Sequence, residues 1–179
     1  KLFPVKDSEP FMTEEELYDI IETANEEGVL DEDQHELVHS ALDFDDITVG
    51  DIFTARKDIV ALDINSSQED ILRIIKKYKY SRIPIYKDNL DNIIGILPVR
   101  KLLKAYIKNQ TIDLKDMLLK PHYTMCNMPI DNVLREMSGK KIHMSIVVDD
   151  NSKTLGIVTV EDILEELVGD IWDEDDVVN

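Results

Sequence analysis

Near the end of the chain, two oxygen-bearing side chains, Thr159 and Asp162, stand where an apolar run meets a helical pattern. The run closes on Gly156, and apolar residues then recur at the i, i+3, i+4 and i+7 spacing of an amphipathic helix, at positions 160, 163, 164 and 167. A threonine hydroxyl can donate a hydrogen bond, a carboxylate can accept one from a sugar diol, and the free N–H groups of a helix start favour an anion. This spacing predicts a nucleotide-binding site at a turn between a strand and a helix.

The same pattern occurs once more, 61 positions earlier, around Gly95. The apolar helical face is repeated there, at positions 99, 102, 103 and 106. Three upstream segments also align with later ones, at offsets of 61, 62 and 65: residues 82–86 with 143–147, 71–78 with 133–140, and 49–53 with 114–118. We therefore predict two tandem copies of about 60 residues, with strand, loop, strand and helix copied without a gap, filling residues 48–172.

The two copies differ at the positions that carry the chemistry. Where the later copy has Thr159 and Asp162, the earlier copy has Pro98 and Lys101, so both the hydroxyl and the carboxylate are missing. We expect the cleft beside the earlier copy to be empty or unspecific, and Lys101 to be a solvated lysine rather than a phosphate ligand.

Local patterns predict the elements of the earlier copy. Apolar residues within 54–63 favour one strand, and Ser67 predicts the start of a helix. A second strand over 80–86 carries Pro84 near its start, a position that proline tolerates at a sheet edge or at strand entry.

Before the repeats, the acidic segment 1–47 predicts a linker followed by a helical hairpin. Thr13 with Glu16 forms a capping-box pattern, and a second helix is expected from about Asp31. Residues 35–39 of that helix read HELVH, which matches the H-E-x-x-H pattern of zinc hydrolases. A third ligand and the sequence for a surrounding cleft are lacking, so we expect a solvated helix and keep a zinc hydrolase as a remote alternative.

Composition narrows the classes of function. The formal charge of −18 over 179 residues argues against a nucleic-acid or anionic-membrane surface. The single cysteine, Cys126, excludes an internal disulfide and suits a reducing compartment. No signal peptide is recognisable and no apolar run approaches the roughly 18 to 20 residues that span a bilayer, so we expect a soluble chain. His122 and His143 have no partner at a functional spacing and are expected on the surface or at a cleft rim.

Several segments resemble a known family in their order along the chain. The two copies are similar to a pair of cystathionine-β-synthase (CBS) domains, also called a Bateman module. Four segments resemble the CorC/HlyC, or hemolysin-like, and cyclin-M group of magnesium and cobalt transport proteins: TARKD (54–58), YSRIPIY (80–86), SIVVDD (145–150) and GIVTVEDILEELVGDIWDE (156–174).

This resemblance implies an α/β (α+β) fold, in which two βα repeats pack through their sheets and leave clefts between them, preceded by the acidic helical hairpin. The implied parts are a linker and hairpin (1–47), a first CBS domain (48–109), a second CBS domain (110–172) and an acidic tail (173–179).

The resemblance also implies an adenine nucleotide ligand, AMP, ADP or ATP, with or without Mg²⁺. Thr159 and Asp162 would hold its sugar and phosphates, and Ile157 would contact the base. The first copy would contribute four residues to the same cleft: Tyr80, Ser81, Arg82 and Pro84. Three plainer readings stay open, in which Tyr80 packs on the sheet, Arg82 pairs with a carboxylate, and Asp162 only caps its helix.

Two positions in TARKD depart from the family pattern. Lys57 stands where many relatives have threonine, and Ala55 replaces a proline. These departures put the base contacts in doubt, whereas Lys57 would favour phosphates.

We expect a non-enzymatic regulatory module, because no nucleophile, P-loop or complete catalytic constellation is recognisable and no metal site is assigned. By resemblance, it would form a homodimer on the cytoplasmic side of the membrane and control the transmembrane transport domain of the full-length protein, with no nucleic-acid partner. The alternative is a dimerisation module without a ligand. A weak cation site in the acidic cluster around and after the last helix is a lesser hypothesis than a solvated acidic surface. This cluster comprises Glu161, Glu165, Glu166, Asp170 and residues 173–176.

Overall fold

The computed structural model of the protein describes residues 12–108 and 113–169. The described residues divide into two compact units: those within 46–164 form one, and those within 12–45 and 165–169 form the other. Within the described residues, no helix combines the length and the apolar character that a membrane span requires. The acidic tail and Trp172 lie outside the described residues.

Two helices with capping boxes form the acidic hairpin. Helix α1 spans Glu14–Glu26 and helix α2 spans Glu32–Asp43. The Glu16 N–H donates to the Thr13 hydroxyl at 3.2 Å and the Thr13 N–H donates to the Glu16 carboxylate at 2.7 Å, and Asp31 caps α2 in the same manner. Both predicted helix starts are confirmed.

The two copies share the order strand, helix, strand, strand, helix. The first copy contains α3 (Val49–Ile52), β1 (Thr54–Ala55), a 3-10 turn (Arg56–Asp58), β2 (Leu62–Asp63), α4 (Gln68–Tyr78), β3 (Arg82–Lys87), β4 (Asn89–Pro98) and α5 (Val99–Ile107). The second copy contains a 3-10 turn (Lys115–Met117), β5 (Tyr123–Met125), α6 (Ile130–Lys140), β6 (Met144–Val148), β7 (Thr154–Thr159) and α7 (Val160–Val168).

The first strand of the chain pairs with the other copy. One sheet has the order β2-β3-β4, and the other has the order β1-β7-β6-β5, in which Thr54 and Ala55 lie opposite Ile157 and Gly156. The single strand expected over residues 54–63 is therefore wrong, because the chain turns at Arg56–Asp58 to move from one sheet to the other. The second copy also reaches the first, because Leu119 forms an isolated bridge with Ile96 of β4.

Strand pairing also corrects the alignment of the copies. Arg82 lies opposite Pro98, and Met144 lies opposite Thr159, so β3 and β6 correspond at an offset of 62 whereas β4 and β7 correspond at 61. The two copies therefore do not align without a gap, because the hairpin between these two strands is one residue shorter in the second copy.

Pro84 lies in the middle strand of its sheet and not at an edge. It lies opposite Ile96 of β4, whereas pairing with β2 begins only at the next residue, Ile85. The side of β3 that β2 would occupy is unpaired at Pro84, so its missing N–H breaks no ladder bond to β2.

Two apolar clusters hold the repeats together. The core of the first copy is built on Ile83, Ile85 and Leu97, and it includes Met117 from the segment that leads into the second copy. A second cluster joins the two sheets, because Ile93 and Ile96 of β4 pack with residues of the other copy: Met144, Ile146, Val148 and Ile157. The predicted α/β fold, with two βα repeats packed through their sheets, is confirmed.

Gly156 permits the crossing of β1 onto β7. A Cβ atom at this position would lie well under 3.0 Å from the Thr54 carbonyl oxygen and from the Phe53 ring. Gly95 is its counterpart, because a Cβ atom added there would lie 2.7 Å from the Cβ atom of Leu118. Each copy therefore has a glycine where the segment leading into the other copy passes over its strand.

We expect Gly156→Ala to destabilise the protein by about 1–3 kcal/mol or more, since the Thr54 backbone cannot move aside without breaking the β1–β7 pairing. Gly139→Ala is the matched control, because nothing lies within 4 Å of a Cβ there and alanine favours the α6 helix. Urea unfolding would measure both. Equal stability of the two variants would contradict the role given to Gly156.

Candidate functional site

Thr159 and Asp162 meet at the turn where β7 ends and α7 begins. The Thr159 N–H donates to Asp162 Oδ2 at 2.7 Å, and the Asp162 N–H donates to Thr159 Oγ1 at 3.2 Å. This is a capping box, so the helix-capping reading of Asp162 holds. The two bonds involve neither the Thr159 hydroxyl hydrogen nor Asp162 Oδ1, and both residues are partly exposed. The turn is therefore rigid and retains one donor and one acceptor for a ligand.

Arg82 approaches this turn from the first copy. It is the first residue of β3, and its guanidinium lies 3.8 Å from the Glu161 carboxylate, inside the Thr159–Asp162 turn. The Arg82 side chain is 26% exposed and that of Glu161 is 64% exposed. The structure thus brings together Arg82, Thr159 and Asp162, and it also contains the carboxylate pairing that the sequence left open for Arg82.

The sequence pointed to Glu161 only as a member of the acidic cluster around the last helix, and its position between the site residues was missed. It is the second residue of α7, between the two predicted ligand groups. A carboxylate there favours the helix start and at the same time adds negative charge where a phosphate would bind.

Ile157 faces the apolar cluster between the sheets. Its side chain is 9% exposed and packs in the group that includes Ile93 and Ile146. Only a small part of this side chain is therefore available to a base.

The structure does not bring Lys57 to the Thr159 end of β7. Since β1 and β7 are antiparallel, the chain after Ala55 runs toward the start of β7, near Thr154. Thr154 lies five residues before Thr159, or roughly 16 Å along a strand. The Lys57 side chain is 83% exposed and lies 4.0 Å from Asp58.

The remaining first-copy residues lie apart from the turn. Pro84 is buried in β3. The Tyr80 ring stacks on the Tyr78 ring at 5.7 Å, and Tyr80 and Ser81 border a cavity of about 400 Å³ with residues of α5. Tyr80 and Ser81 precede β3, and their place in the nucleotide site stays a prediction.

The earlier cleft differs as expected at its two key positions. Pro98 and Lys101 occupy the places of Thr159 and Asp162. The Lys101 ammonium donates to the backbone carbonyl of Asp116 at 3.0 Å and is exposed.

His122 lies in a polar network and is partly buried, with 12% of its side chain exposed. Its Nδ1 lies 2.8 Å from the hydroxyl of the buried Ser145, and its Nε2 lies 3.1 Å from Glu136. Lys140 also binds Glu136, and its ammonium together with His122 lowers the pKa of that carboxyl. Because Ser145 is fully buried, this Ser-His-Glu arrangement cannot present a nucleophile to a substrate.

The two histidines of HELVH bind carboxylates. His35 lies 3.2 Å from Glu22, and His39 lies 3.1 Å from Asp43. In the part of the chain that the structure describes, no group of three or more His, Cys, Asp or Glu side chains is placed to hold a metal ion. The helix therefore gives no geometric support to a zinc hydrolase.

Comparison with known proteins identifies both repeats. The profile of the CBS domain matches residues 49–108 and 114–169. A chloroplastic DUF21 domain-containing protein of Arabidopsis thaliana is 35% identical over 173 residues, which are 94% of this chain and 26% of that protein. The magnesium and cobalt efflux protein CorC of Pasteurella multocida is 32% identical over 169 residues, 92% of this chain and 56% of that protein. The chain thus spans about a quarter to a half of these relatives.

Solved structures agree with this assignment. The CBS domain of a bacterial CNNM/CorC family Mg²⁺ transporter, in complex with an inhibitor, is 34% identical with a TM-score of 0.79, covering 90% of this chain and all of that one. The CBS domain of a bacterial CNNM/CorC family Mg²⁺ transporter in complex with ATP is 35% identical with a TM-score of 0.69, covering 76% and 97%. A CBS-domain pair of Klebsiella pneumoniae with bound AMP is 30% identical with a TM-score of 0.61, covering 69% and 99%.

Proposed function

This chain belongs to the CBS-domain family, as a tandem pair of the kind found in CNNM/CorC Mg²⁺ transporters, and we propose that it binds an adenine nucleotide and thereby regulates a magnesium transport protein. The observation that carries the proposal is the Thr159–Asp162 turn, which Arg82 reaches from the other copy. Relatives of the same fold that bind ATP and AMP support the choice of ligand.

The groups at the turn suit the polar half of a nucleotide. The Thr159 hydroxyl and Asp162 Oδ1 would bind the ribose hydroxyls and the phosphate side. Arg82 would bind the phosphates, since its planar guanidinium donates to two oxygens at once. The base would lie toward the apolar edge of Ile157. Binding would require Arg82 to leave Glu161 and turn to the phosphates.

We propose that Mg²⁺ accompanies a triphosphate ligand. Glu161 and Asp162 place two carboxylates beside the proposed phosphate position, and a hard divalent cation would neutralise the repulsion between these groups and the phosphates. A monophosphate carries less charge and would depend less on the cation.

A regulatory module acts on a partner domain. The relatives include a longer magnesium and cobalt efflux protein, which this chain covers only in part. We propose that this part lies on the cytoplasmic side of the membrane, forms a homodimer, and transmits nucleotide occupancy to a transport domain of the same full-length protein. The homodimer would use α5, whose outer surface exposes three apolar side chains: Leu103, Tyr106 and Ile107.

A ligand-free dimerisation module is the second candidate. It is favoured by the existing partners of the site residues, because Arg82 pairs with Glu161 while Thr159 and Asp162 cap α7. The two candidates differ in whether the turn binds nucleotide at all.

Calorimetric titration with ATP, ADP and AMP, with and without Mg²⁺, tests the proposed function. We expect Asp162→Asn to weaken binding by about tenfold or more, because a hydrogen bond to a charged group contributes roughly 1.5–3 kcal/mol. Asparagine keeps an oxygen for the Thr159 N–H, so the helix cap is retained. Lys101→Ala, at the equivalent position of the first copy, is the matched control and should bind as the wild type does. Absence of binding to folded wild-type protein would favour the dimerisation module.

Glu161→Gln should reduce the requirement for Mg²⁺. The substitution removes a negative charge and releases Arg82, and because Glu161 is largely exposed we expect ATP without Mg²⁺ to bind only roughly two- to fivefold more tightly. Affinity for AMP should change less. An unchanged Mg²⁺ dependence would show that Glu161 does not face the phosphates.

Ile107→Glu should weaken the homodimer by about tenfold or more, since a charge would be buried without a partner in the proposed contact. Ile107 is 78% exposed, and Val29 on the acidic hairpin, at 70%, provides the matched control Val29→Glu. Sedimentation equilibrium over a range of concentrations would measure both. A dimer that persists in Ile107→Glu but not in Val29→Glu would place the interface elsewhere.

A further inference from the structure

Arg56 and Asp91 join three segments that are distant in sequence. The Arg56 guanidinium donates to both oxygens of the Asp91 carboxylate, one of them at 3.1 Å, and to the carbonyl of Thr154 at 2.8 Å. The Thr154 N–H donates to Asp91 at 3.0 Å. We refer to these three residues as the Arg56–Asp91–Thr154 junction. It connects the turn after β1, the first-copy strand β4 and the second-copy strand β7.

The junction continues the β1–β7 ladder with side chains. Strand β1 has only two residues, and its backbone turns away after Ala55. Beyond that point, the Arg56 and Asp91 side chains satisfy the carbonyl and the N–H of Thr154, which is 1% exposed. Without these partners, two polar groups in a buried place would be left unsatisfied, which is costly.

The charged pair is itself partly shielded from water. The side chains of Arg56 and Asp91 are 32% and 39% exposed. The hydrogen bond from Arg56 lowers the pKa of Asp91, so the carboxylate stays ionised and the pair persists throughout the neutral range.

A hydrogen bond between uncharged groups corresponds to this junction at the equivalent place on β4 of the first copy. Ile93 lies 61 positions before Thr154, and its carbonyl accepts a hydrogen bond at 3.0 Å from the hydroxyl of Tyr123 in the second copy. Each copy therefore receives a side-chain bond from the other at the same strand position. The charged junction bonds to the backbone of β7, the strand that ends in Thr159. The neutral bond is made to the backbone of β4, the strand that ends in Pro98.

We propose that Arg56 and Asp91 are positioning residues for the Thr159–Asp162 site, because they hold the crossing segment Phe53–Ala55 in register on β7. The Phe53 ring lies over Gly156, and Thr54 lies opposite Ile157, two residues before Thr159. A two-residue ladder alone resists separation weakly, so loss of the junction frees this segment and widens the side of the cleft next to Thr159. This inference rests on the proposed nucleotide function.

Two readouts on the same variants test the proposal. Amide hydrogen exchange reports the β1–β7 pairing directly, and calorimetric titration with Mg²⁺ and ATP reports the site. We expect Arg56→Gln and Asp91→Asn to accelerate exchange at residues 54–55 and 156–158 and to weaken ATP binding by about tenfold, equivalent to ~1.4 kcal/mol. Arg56→Lys, which keeps the charge but loses the planar fork, should fall between these variants and the wild type.

Tyr123→Phe is the matched control, since it removes the corresponding bond from the other half. It should leave ATP affinity unchanged and alter exchange only around Ile93. All titrations are made at a temperature at which circular dichroism shows each variant to be folded, so that a change in affinity is separated from a loss of stability. If Arg56→Gln does not fold, Asp91→Asn and Arg56→Lys provide the same comparison.

The outcomes separate the two proposals. Faster exchange in the β1–β7 pair with unchanged ATP affinity would overturn the positioning role, and so would an equal loss of affinity in Tyr123→Phe. Unchanged exchange would overturn the junction itself. If the wild type binds no nucleotide, the proposed function fails, while the exchange data still decide whether the junction holds β1 on β7.

Discussion

The structure depends on a close approach of two backbones at Gly156. The chain leading into the first copy passes over β7 of the second, and only a residue without a side chain leaves room for the Thr54 carbonyl and the Phe53 ring. The bridge between Leu119 and Ile96, beside Gly95, repeats this arrangement in the opposite direction. The first copy thus contributes the strand β1 to the sheet of the second copy, and the second copy contributes one bridge to the sheet of the first. A contact between the copies is therefore built into the fold of each.

This exchange places the candidate site. Because β1 pairs with the strand that ends at Thr159, first-copy residues border a turn of the second copy, and β3 brings Arg82 to the same place. Duplication provides two such places, but the two have diverged. The capping box of Thr159 and Asp162 both starts α7 and presents polar groups, whereas Pro98 begins α5 without a side-chain cap. The same residues thus serve helix formation and proposed recognition, so the helix-capping reading and the binding reading are compatible.

Sequence patterns predicted the features that depend on local periodicity. The helical face after Thr159, the caps at Thr13, Asp31 and Ser67, and the duplication all follow from spacing, and the structure contains them. Features that depend on distant contacts were missed. The turn that divides residues 54–63 between two sheets, and the Arg56–Asp91 pair, arise from topology, and the 35 positions between those two side chains carry no periodic signal. The polar network of His122 was missed for the same reason, because its partners Ser145 and Glu136 lie on other elements.

Net charge was a poor guide to local electrostatics. Residues 71–108 contain ten of the 20 Lys and Arg but only two of the 38 Asp and Glu, so this part of the first copy is basic within a chain of charge −18. Arg82 belongs to this basic part, and Glu161 belongs to the acidic start of α7, so their contact lies where the sign of the charge changes. An anionic ligand at that boundary is attracted from one side and repelled from the other. If the proposed nucleotide binds there, its charge, including that of a bound divalent cation, would shift the balance between pairing of Arg82 with Glu161 and with the ligand.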